Sequence, residues 1–291
     1  MIAIVIVNYR TPRLVVDCLR SLELEVKELS DTQVWVVDGG SGDGSARLLA
    51  DAIRERGWSD WVSLLPLDLN GGFAYANNAA LRPLLARELP PDYVYLLNPD
   101  TVIFPGALRE LVAFLDAHPR AGLAGSQCEN ADGSVRRTAF RFPSLFGELE
   151  SEARIGPLSR LLAPWVVAPP PPHSPARCDW VSGAAVLVRR EVFDTVGLLD
   201  DGFFLYYEET EFAGRAADAG FECWIVPQSR IVHYCGQSTG VTQADGSLRD
   251  PPPYVWQSRR RYFATRHGRA YAWAADAAAA SGRLLYWLRP W

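Results

Sequence analysis

Short hydrophobic strands alternate with amphipathic helices through the first hundred residues, and this alternation restricts the folds open to the chain. Residues 2–7 (IAIVIV) form a β-branched run with no polar position, as expected for a strand buried on both faces. Thr11 and Pro12 then provide a helix start, and apolar residues follow at helical spacing. The pattern predicts strands at residues 2–7, 34–38, 61–67 and 93–98 and helices at 12–22, 45–55, 73–88 and 107–118. Pro83 is expected to kink or split the third helix. A mainly parallel sheet covered by helices on both faces is therefore predicted.

The regular alternation of strand and helix patterns ends after about Gly125. The stretch NADGSVRRTAF predicts a hairpin around Asp132 and Gly133. Prolines then crowd residues 143–178, which predicts an irregular and mobile excursion from the domain. Further strands are predicted at residues 180–189 and 223–227, a helix from about Glu208, and helices from about Pro252. We expect a catalytic domain of residues 1–250, with halves 1–125 and 126–250 and the excursion at 143–178, followed by an extension of residues 251–291.

The composition argues against several classes of protein. The 291 residues carry a net charge of −5 and a pI near 5.5, so bulk electrostatics do not favour nucleic acid. Five cysteines without a CxxC pair suit a reducing compartment better than a disulfide framework, and four scattered histidines do not suggest zinc. No basic leader precedes the first apolar run, which stops at Asn8 and is too short to cross a bilayer. These features predict a soluble, cytoplasmic protein.

Acidic residues follow three separate segments and are candidates for one shared site. Asp38 ends the run VWVVD, Asp100 ends LLNPD, and Glu209 lies in YYEETEF. Pro99 disfavours helix at Asn98, so the chain stays extended up to the carboxylate. Mg²⁺ or Mn²⁺ takes hard oxygen ligands, usually one or two carboxylates together with substrate phosphate. Carboxylates brought to one edge of a sheet therefore suggest a metal-assisted transfer site.

Each motif also has a plain structural interpretation. Asp38 and the glycines after it fit an ordinary strand-to-helix turn capped by Asp43, without a GxGxxG dinucleotide fingerprint. Residues 70–80 fit a capped, tightly packed helix as well as a helix N-terminus that binds diphosphate. Asp100 equally fits a cap of the following turn, and a histidine such as His233 is more often structural than a ligand. The residues alone leave these alternatives open.

The helix that begins near Glu208 can be divided by angle, at about 100° per residue. Its apolar face holds Phe212, Ala213, Ala216 and Ala219. Glu209 falls on that side, whereas Glu211 falls opposite, four residues before Arg215, which predicts a solvent-facing pair. Glu208 lies on the border. Glu209 is therefore the acid expected at a buried site, where burial raises the pKa of a carboxyl toward that of a working base.

The C-terminal extension combines arginine with aromatic residues. Between Ser258 and Trp291, seven arginines oppose a single acid, Asp276. This composition suits contact with an anionic membrane surface. A docking helix whose aromatic side chains pack on the main domain fits equally well, and both interpretations stay open.

Seven segments, in this order, resemble the family 2 glycosyltransferases and especially the bacterial rhamnosyltransferase-like group. They are VIVNYRTP, VVDGGSGDGS, NGGFAYANNAA, LLNPDT, WVSGAAVLVRREVF, FFLYYEETEF and HYCGQSTG. The chain departs from the family pattern at Gly39, where asparagine is usual, and at Glu209 and Glu211, where aspartates are expected. The resemblance implies an α/β protein with the GT-A (nucleotide-diphospho-sugar transferase) fold, a mainly parallel central sheet, a small antiparallel acceptor-side portion and C-terminal helices.

The same resemblance implies roles for individual residues. Asp38 would contact the base of the donor, Asp100 with His233 would bind a divalent metal, and Glu209 would be the catalytic base. The remaining substrate-binding positions that it implies are Asn8, Asn70, Gly72, Phe73, Asn77, Asn98, Trp180, Ser182, Gly183 and Glu208.

The activity that follows is inverting transfer of a sugar from a dTDP- or UDP-linked donor, with dTDP-rhamnose as the first candidate. The expected acceptor is a hydroxyl of a lipid-linked or cell-surface glycan made at the inner face of the cell membrane. The expected cofactor is Mg²⁺ or Mn²⁺, and peripheral membrane contact through the extension is a further expectation. Two alternatives remain, a nucleotidyltransferase acting on sugar phosphates and a catalytically impaired nucleotide-sugar-binding protein.

Overall fold

The structure of the protein, a computed structural model, describes residues 1–234 and 251–288, so residues 235–240 of the motif HYCGQSTG lie outside the described residues. The strands are β1 (Ile2–Asn8), β2 (Thr32–Asp38), β3 (Val62–Pro66), β4 (Tyr93–Leu97), β5 (Thr101–Ile103), β6 (Ala121–Glu129), β7 (Ala139–Phe140), β8 (Ala176–Cys178), β9 (Trp180–Val181), β10 (Ala185–Arg189) and β11 (Glu222–His233). The helices are α1 (Pro12–Glu28), α2 (Ser45–Glu55), α3 (Phe73–Leu85), α4 (Ala107–Ala117), α5 (Leu145–Ala153), α6 (Gly156–Leu161), α7 (Arg190–Val196), α8 (Glu208–Asp218), α9 (Pro253–His267) and α10 (Arg269–Leu288).

A mixed sheet with the strand order β3-β2-β1-β4-β10-β6-β11-β5 forms the centre of the molecule, and β8 pairs with β11. The strands β3, β2, β1 and β4 are mutually parallel. The strand β10 runs antiparallel between β4 and β6, whereas β11 is parallel to β6. A small antiparallel sheet is formed by β7 and β9. The predicted α/β architecture is therefore confirmed.

Successive residues of β1 point to opposite faces of the sheet, and both faces are covered. Ile4 and Ile6 pack in the core that also contains side chains of α1, α2 and α4. Ala3 and Val5 pack in the core that contains side chains of α3, α7 and α8. All four side chains are fully buried. The absence of a polar residue among positions 2–7 follows from burial on both faces.

Two local features differ from the prediction. The predicted split of α3 does not occur, because only two helical residues follow Pro83 and its missing N–H removes a single hydrogen bond near the end of the helix. Residues 180–189 form the two strands β9 and β10 instead of one. The chain changes partners between them, where Ser182 N–H donates to the Thr138 carbonyl at 2.9 Å.

The segment expected to be irregular, residues 143–178, contains the helices α5 and α6, a 3₁₀ turn at Ala163–Trp165 and the strand β8. The helix α5 lies in a stretch free of proline, and Ser144 caps it by accepting the Gly147 N–H at 3.2 Å. The helix α5 is also stabilised by tertiary contacts, because it packs along α10. The count of prolines did not reveal this contact.

The helices α9 and α10 dock on the domain through a third cluster of buried side chains. Phe203, Tyr262 and Phe263 form its centre. Arg259 is only 6% exposed and donates to Glu148 of α5 at 2.9 Å and to Asp276 of α10 at 2.6 Å. The docking interpretation of the extension therefore holds for α9 and for the inner face of α10.

The outer face of α10 is different, because large apolar side chains lie in solvent there. Trp273, Leu284, Trp287 and Leu288 are all exposed. Within residues 1–234 and 251–288, none of the helices has both the length and the apolar content needed to cross a membrane.

Candidate functional site

The ends of four strands meet at one edge of the sheet. Because β1, β2 and β4 are parallel, Asn8, Asp38 and Asn98 lie at or just beyond their carboxyl ends, and Asn8 is paired with Asp38. The strand β10 runs the other way, so its start lies at this same edge. Asn98 N–H donates to the Ala184 carbonyl at 2.8 Å, which joins β4 to the turn before β10.

Glu209 and Asp100 both lie near that turn. A Cβ built on Gly183 would lie 3.7 Å from Glu209 Cβ, so the two residues are in contact. Asp100 follows Asn98 by two residues, and Asn98 binds the turn that carries Gly183. The sheet therefore brings Asp38, Asp100 and Glu209 to one edge, as predicted from the strand ends.

Asp38 is fixed by side chains from two neighbouring segments. Asn8 Nδ2 and Ser41 Oγ each donate to Asp38 Oδ1 at 2.6 Å, and Ser41 N–H donates to Oδ2 at 3.3 Å. Ser41 Oγ also accepts the Arg10 N–H at 2.9 Å. The carboxylate is therefore oriented, and Oδ2, with one long hydrogen bond, retains capacity to accept another from a ligand.

The chain turns into α3 around a glycine that allows close approach of another segment. Asn70 Oδ1 accepts the Gly72 N–H at 3.0 Å, and Phe73 N–H donates to the Phe204 carbonyl at 2.9 Å. Gly72 has φ +94°, and a Cβ there would lie 2.1 Å from the Phe204 oxygen, so only glycine fits. Asn77 Nδ2 donates to the Phe73 carbonyl, whereas its buried Oδ1 has no partner among the described residues. A buried acceptor of this kind fits a site for a ligand donor.

Asp100 and His233 meet on neighbouring strands. Thr101 of β5 pairs with His233 of β11, and this register places His233 Nε2 at 3.1 Å from Asp100 Oδ1. Asn98 Nδ2 lies 3.4 Å from the same nitrogen. The Thr101 hydroxyl donates to the Asn98 carbonyl at 2.7 Å and holds the turn. A carboxylate oxygen and an imidazole nitrogen thus lie side by side at the edge of the sheet.

This pair fits a divalent metal that also binds substrate phosphate. In the part of the chain that the structure describes, no group of three or more His, Cys, Asp or Glu side chains converges as a metal site. Mg²⁺ commonly uses one or two carboxylates and completes its octahedral shell with substrate phosphates and water. Asp100 supplies one carboxylate, and the neighbouring His233 supplies a nitrogen ligand, which transition metals accept more readily than Mg²⁺ does.

Glu208 and Glu209 open α8 after an unusual turn. Tyr206 and Tyr207 have φ values of +68° and +71°, a left-handed conformation that is costly without glycine. The Oε2 atom of each glutamate is buried without a hydrogen-bond partner among the described residues. Burial raises the pKa of both carboxyl groups, and the charge of Glu209 raises the pKa of Glu208 further.

Backbone groups moderate the effect of burial at Glu209. The N–H groups of Gly183 and Thr210 lower the pKa of the Glu209 carboxyl, although burial outweighs them. Glu208 therefore retains its proton to a higher pH than Glu209 does. Of the two, Glu209 is the one better suited to accept a proton.

The predicted acceptor-side residues support the backbone of the turn that touches Glu209. Trp180 Nε1 donates to the Arg141 carbonyl at 3.0 Å, and its ring stacks on Phe140 with centroids 4.3 Å apart. Ser182 Oγ accepts the Ala184 N–H at 3.3 Å. These contacts fix the turn at Gly183.

The prediction that Glu211 and Arg215 form a solvent-facing pair was wrong. Glu211 is buried, and both of its carboxylate oxygens accept from Arg215 Nε at 2.9 Å. Arg215 also donates to the carbonyl groups of Val196 and Leu198. The segment after α7 covers this side of α8, which an angular projection of a single helix does not reveal.

Sequence reasoning missed several residues of this edge. Ser41 orients Asp38, and its signal was a hydroxyl three residues after the acid. Tyr206 and Tyr207 set the start of α8, but no sequence signal predicts two left-handed tyrosines. Phe204 contacts Gly72 through a contact between segments far apart in the chain.

The inserted antiparallel strand and the acids at the carboxyl edge of the parallel strands are the arrangement expected of the GT-A fold. The chain belongs to glycosyl transferase family 2, whose family model matches residues 3–157. It is a glycosyltransferase of that type, and the resemblance proposed from the seven motifs is confirmed.

Named relatives include rhamnosyltransferases. The chain is 30% identical to the N-acetylglucosaminyl-diphospho-decaprenol L-rhamnosyltransferase of Mycobacterium tuberculosis (strain ATCC 25618 / H37Rv), over 89% of this chain and 78% of the relative. It is 23% identical to the dTDP-rhamnosyl transferase RfbF of Shigella flexneri, over 86% of this chain and 73% of the relative.

Solved structures share the fold at low sequence identity. GalNAc-T7 with UDP, GalNAc and Mn²⁺ matches with a TM-score of 0.63 and 15% identity, over 91% of this chain but 51% of that one. The mannosyltransferase PcManGT from Pyrobaculum calidifontis, in complex with GDP-Man and Mn²⁺, matches with a TM-score of 0.57 and 15% identity, over 97% of this chain and 75% of that one. The predicted GT-A fold is confirmed.

Proposed function

We propose that the protein is an inverting, metal-dependent glycosyltransferase that uses a dTDP- or UDP-sugar, with dTDP-rhamnose as the first candidate. The observation that carries the proposal is the meeting of Asp38, the Asp100–His233 pair and Glu209 at one edge of the sheet. Asp38 would bind the base of the donor, and the start of α3 would lie against its diphosphate. The names of the rhamnosyltransferase relatives support the choice of sugar.

Glu209 is the proposed base. Its carboxylate would accept the proton of an acceptor hydroxyl as that oxygen attacks the anomeric carbon from the face opposite the nucleotide. The buried Oε2, without a partner among the described residues, supports this role, because a carboxylate held by an arginine would be a weaker base. Glu208, which holds its proton to higher pH, and the turn at Gly183 would position the acceptor.

Asp100 and His233 are the proposed protein ligands of Mg²⁺ or Mn²⁺, with Asn98 beside them. When bound, the metal would offset the negative charge that develops on the departing diphosphate. Two solved structures of this fold, GalNAc-T7 and PcManGT, are described with Mn²⁺, which supports the proposal.

The proposed acceptor is a hydroxyl of a lipid-linked or growing cell-surface glycan at the inner face of the cell membrane. The mycobacterial relative is named for a polyprenol-linked N-acetylglucosamine, which supports this class of acceptor. The exposed apolar side chains on the outer face of α10 support peripheral contact with that membrane.

The proposed activity can be tested with purified protein, a panel of nucleotide sugars and Mn²⁺ or a chelator. We expect one donor to raise the melting temperature more with Mn²⁺ than without it, and to be consumed when an N-acetylglucosaminyl-diphospho-prenol acceptor is added. Glu209→Gln should lower transfer by about 10²–10⁴-fold while the donor-induced rise in melting temperature persists.

The matched control for Glu209→Gln is Glu191→Gln, at an acid that is 53% exposed near the start of α7 and should leave transfer unchanged. Full activity of Glu209→Gln would remove Glu209 from the role of base. Release of pyrophosphate from a nucleoside triphosphate would instead support a nucleotidyltransferase. Donor binding without turnover under any acceptor would support an impaired binding protein.

A further inference from the structure

A pocket of about 240 Å³ lies between the loop before α8 and the start of α9. Its lining residues are Gly202, Phe204, Tyr254, Gln257, Ser258 and Arg261. The pocket lies outside the residues that the family resemblance assigns to the donor, the metal and the base. It is therefore a separate recess beside the proposed site.

Aromatic rings form one wall of this recess. The Phe204 and Tyr254 rings have centroids 5.4 Å apart, and the Tyr206 ring lies nearly parallel to Tyr254, with centroids 6.4 Å apart. Phe204 is 39% exposed, whereas the neighbouring Phe203 is fully buried. Aromatic faces open to solvent at a recess are a feature of ligand-binding surfaces.

Polar groups line the recess along the same face of α9 as Tyr254. Arg261 is held in place by Asp200, whose two carboxylate oxygens accept from Arg261 Nη2 at 2.9 Å and 2.8 Å. Gln257 is exposed at the rim, and the Ser258 hydroxyl is anchored by donating to the Leu205 carbonyl at 2.9 Å. An amide and a fixed guanidinium beside aromatic rings suit a ligand with one apolar face and hydroxyl groups at its edges.

The loop that lines the recess also contacts the start of α3 at the proposed reaction centre. The Phe204 carbonyl accepts the Phe73 N–H, and a Cβ on Gly72 would collide with that carbonyl. Phe73 and Glu209 line a small common cavity of about 10 Å³. Glu209 also follows Phe204 by five residues in the chain. A ligand in the recess would thus contact the loop that binds the start of α3 and leads into Glu209.

We propose that this recess binds a sugar ring of the acceptor, with the C–H face of the ring on Tyr254 and Phe204 and its hydroxyl groups toward Gln257 and Arg261. The inference rests on the proposed glycosyltransferase function and identifies the acceptor side of the same site. A sugar ring has the required combination of an apolar face and polar edges. A prenyl chain does not, because the recess is short and one wall carries a fixed ion pair.

The first arm of the test measures sugar binding without turnover. Saturation-transfer NMR with the methyl glycoside of N-acetylglucosamine should give a signal with the wild-type protein and with Tyr254→Phe, which keeps the ring. Tyr254→Ala should lose most of that signal. The matched control is Trp256→Ala, at an exposed aromatic residue of the same helix that does not line the recess, and it should keep the signal.

The second arm measures transfer to an N-acetylglucosaminyl-diphospho-prenol acceptor with a short prenyl chain. Tyr254→Ala should raise the acceptor KM by about tenfold, whereas Tyr254→Phe and Trp256→Ala should stay within about twofold of wild type. The donor KM should not follow the acceptor KM in any of these variants. A general loss of folding would change both constants and would appear in the melting temperature.

The two arms of the experiment distinguish failure of this inference from failure of the proposed function. Glycoside binding that depends on Tyr254, in a protein that transfers no sugar, rejects the function and keeps the recess as a sugar site. Transfer with an unchanged acceptor KM in Tyr254→Ala keeps the function and overturns the recess. Equal losses in Tyr254→Ala and Trp256→Ala also overturn it.

Discussion

Glu208 and Glu209 are adjacent carboxyl groups at the buried start of α8. Burial raises the pKa of both, and the negative charge of Glu209 adds to the rise at Glu208. The N-terminal end of the helix favours negative charge but does not compensate for the loss of water. Ionisation therefore proceeds at Glu209 first, and the proton that remains on Glu208 keeps a second charge out of the site. Two neighbouring acids acquire different roles because of their surroundings.

The buried acids should make stability depend on pH. The folded protein keeps the proton of Glu208 at a pH at which the unfolded chain, with an ordinary value of 4.5, has released it. Unfolding then releases a proton, so the free energy of unfolding falls as pH rises above that value and levels off above the raised pKa. Glu208→Gln removes this loss. We expect the variant to gain stability over wild type as pH rises, by about 1.4 kcal/mol for each tenfold change in the ionisation constant.

Urea unfolding of wild type and Glu208→Gln between pH 4 and pH 8 measures this difference. Glu191→Gln, at the exposed acid of α7, serves as the control and should show a constant offset across the range. A Glu208→Gln curve parallel to that of wild type would contradict the assignment of a raised pKa to Glu208.

At the scale of elements, the chain alone predicted those strands and helices whose pattern is set locally. The β-branched run of β1 and the apolar spacing of α2 gave correct positions, because burial on two faces or on one face leaves a regular trace in the sequence. The break between β9 and β10 left no such trace, because it depends on hydrogen bonds to Thr138 and Asn98, residues far away in the chain. The helix α5 depends on α10 in the same way.

The residues of the candidate site show the same difference between local and tertiary causes. Asp38 and Asp100 could be predicted because each ends a hydrophobic strand, and parallel strands share an edge. The buried environment of Glu211 and the recess at Phe204 could not, because each arises where loops from distant parts of the sequence cover a helix. The sequence pattern thus predicts which residues lie at the end of a strand, but not which distant segment packs over a helix.

A substitution at Gly72 tests how closely the start of α3 and the loop of Phe204 must approach each other. We expect Gly72→Ala to destabilise the protein by more than 3 kcal/mol, because the new Cβ would lie 2.1 Å from the Phe204 oxygen and the backbone conformation is essentially restricted to glycine. Gly268→Ala is the matched control. Gly268 has a similar φ of +88° with nothing within 4 Å of the added Cβ, so only the backbone cost of about 1–3 kcal/mol applies.

Chemical denaturation of the two variants gives the comparison directly. The difference between them isolates the collision with Phe204 from the backbone term. Equal losses of stability in Gly72→Ala and Gly268→Ala would show that the loop of Phe204 moves aside without cost.

At the scale of the whole molecule, the inner and outer faces of α9 and α10 have different properties. Tyr262 and Phe263 face inward and complete a buried cluster with Phe203, whereas the outer side of α10 exposes Trp273 and Leu284. Arg260 lies over the exposed Trp273 ring at 4.5 Å, so positive charge accompanies the apolar face. The two interpretations of the extension, docking and membrane contact, thus apply to opposite faces.

Membrane contact can be measured with the full chain. We expect wild type to sediment with vesicles of phosphatidylglycerol and phosphatidylcholine, and the double variant Leu284→Glu/Leu288→Glu to bind at least tenfold more weakly, because it loses apolar contact and adds negative charge. Leu24→Glu/Leu48→Glu changes two leucines that are 52% and 58% exposed on α1 and α2 and should bind like wild type. Equal binding of both double variants would locate membrane contact elsewhere or exclude it.

The buried arginine of α9 has a practical consequence for anyone who rebuilds this enzyme. Arg259 pairs with both Glu148 and Asp276, so one buried cation joins α5, α9 and α10. A chimera whose α9 lacked this arginine would leave the buried Glu148 carboxylate without a counter-ion, a loss that typically costs about 3–5 kcal/mol. Grafts between relatives should therefore move α5 with the two C-terminal helices, as one interchangeable block.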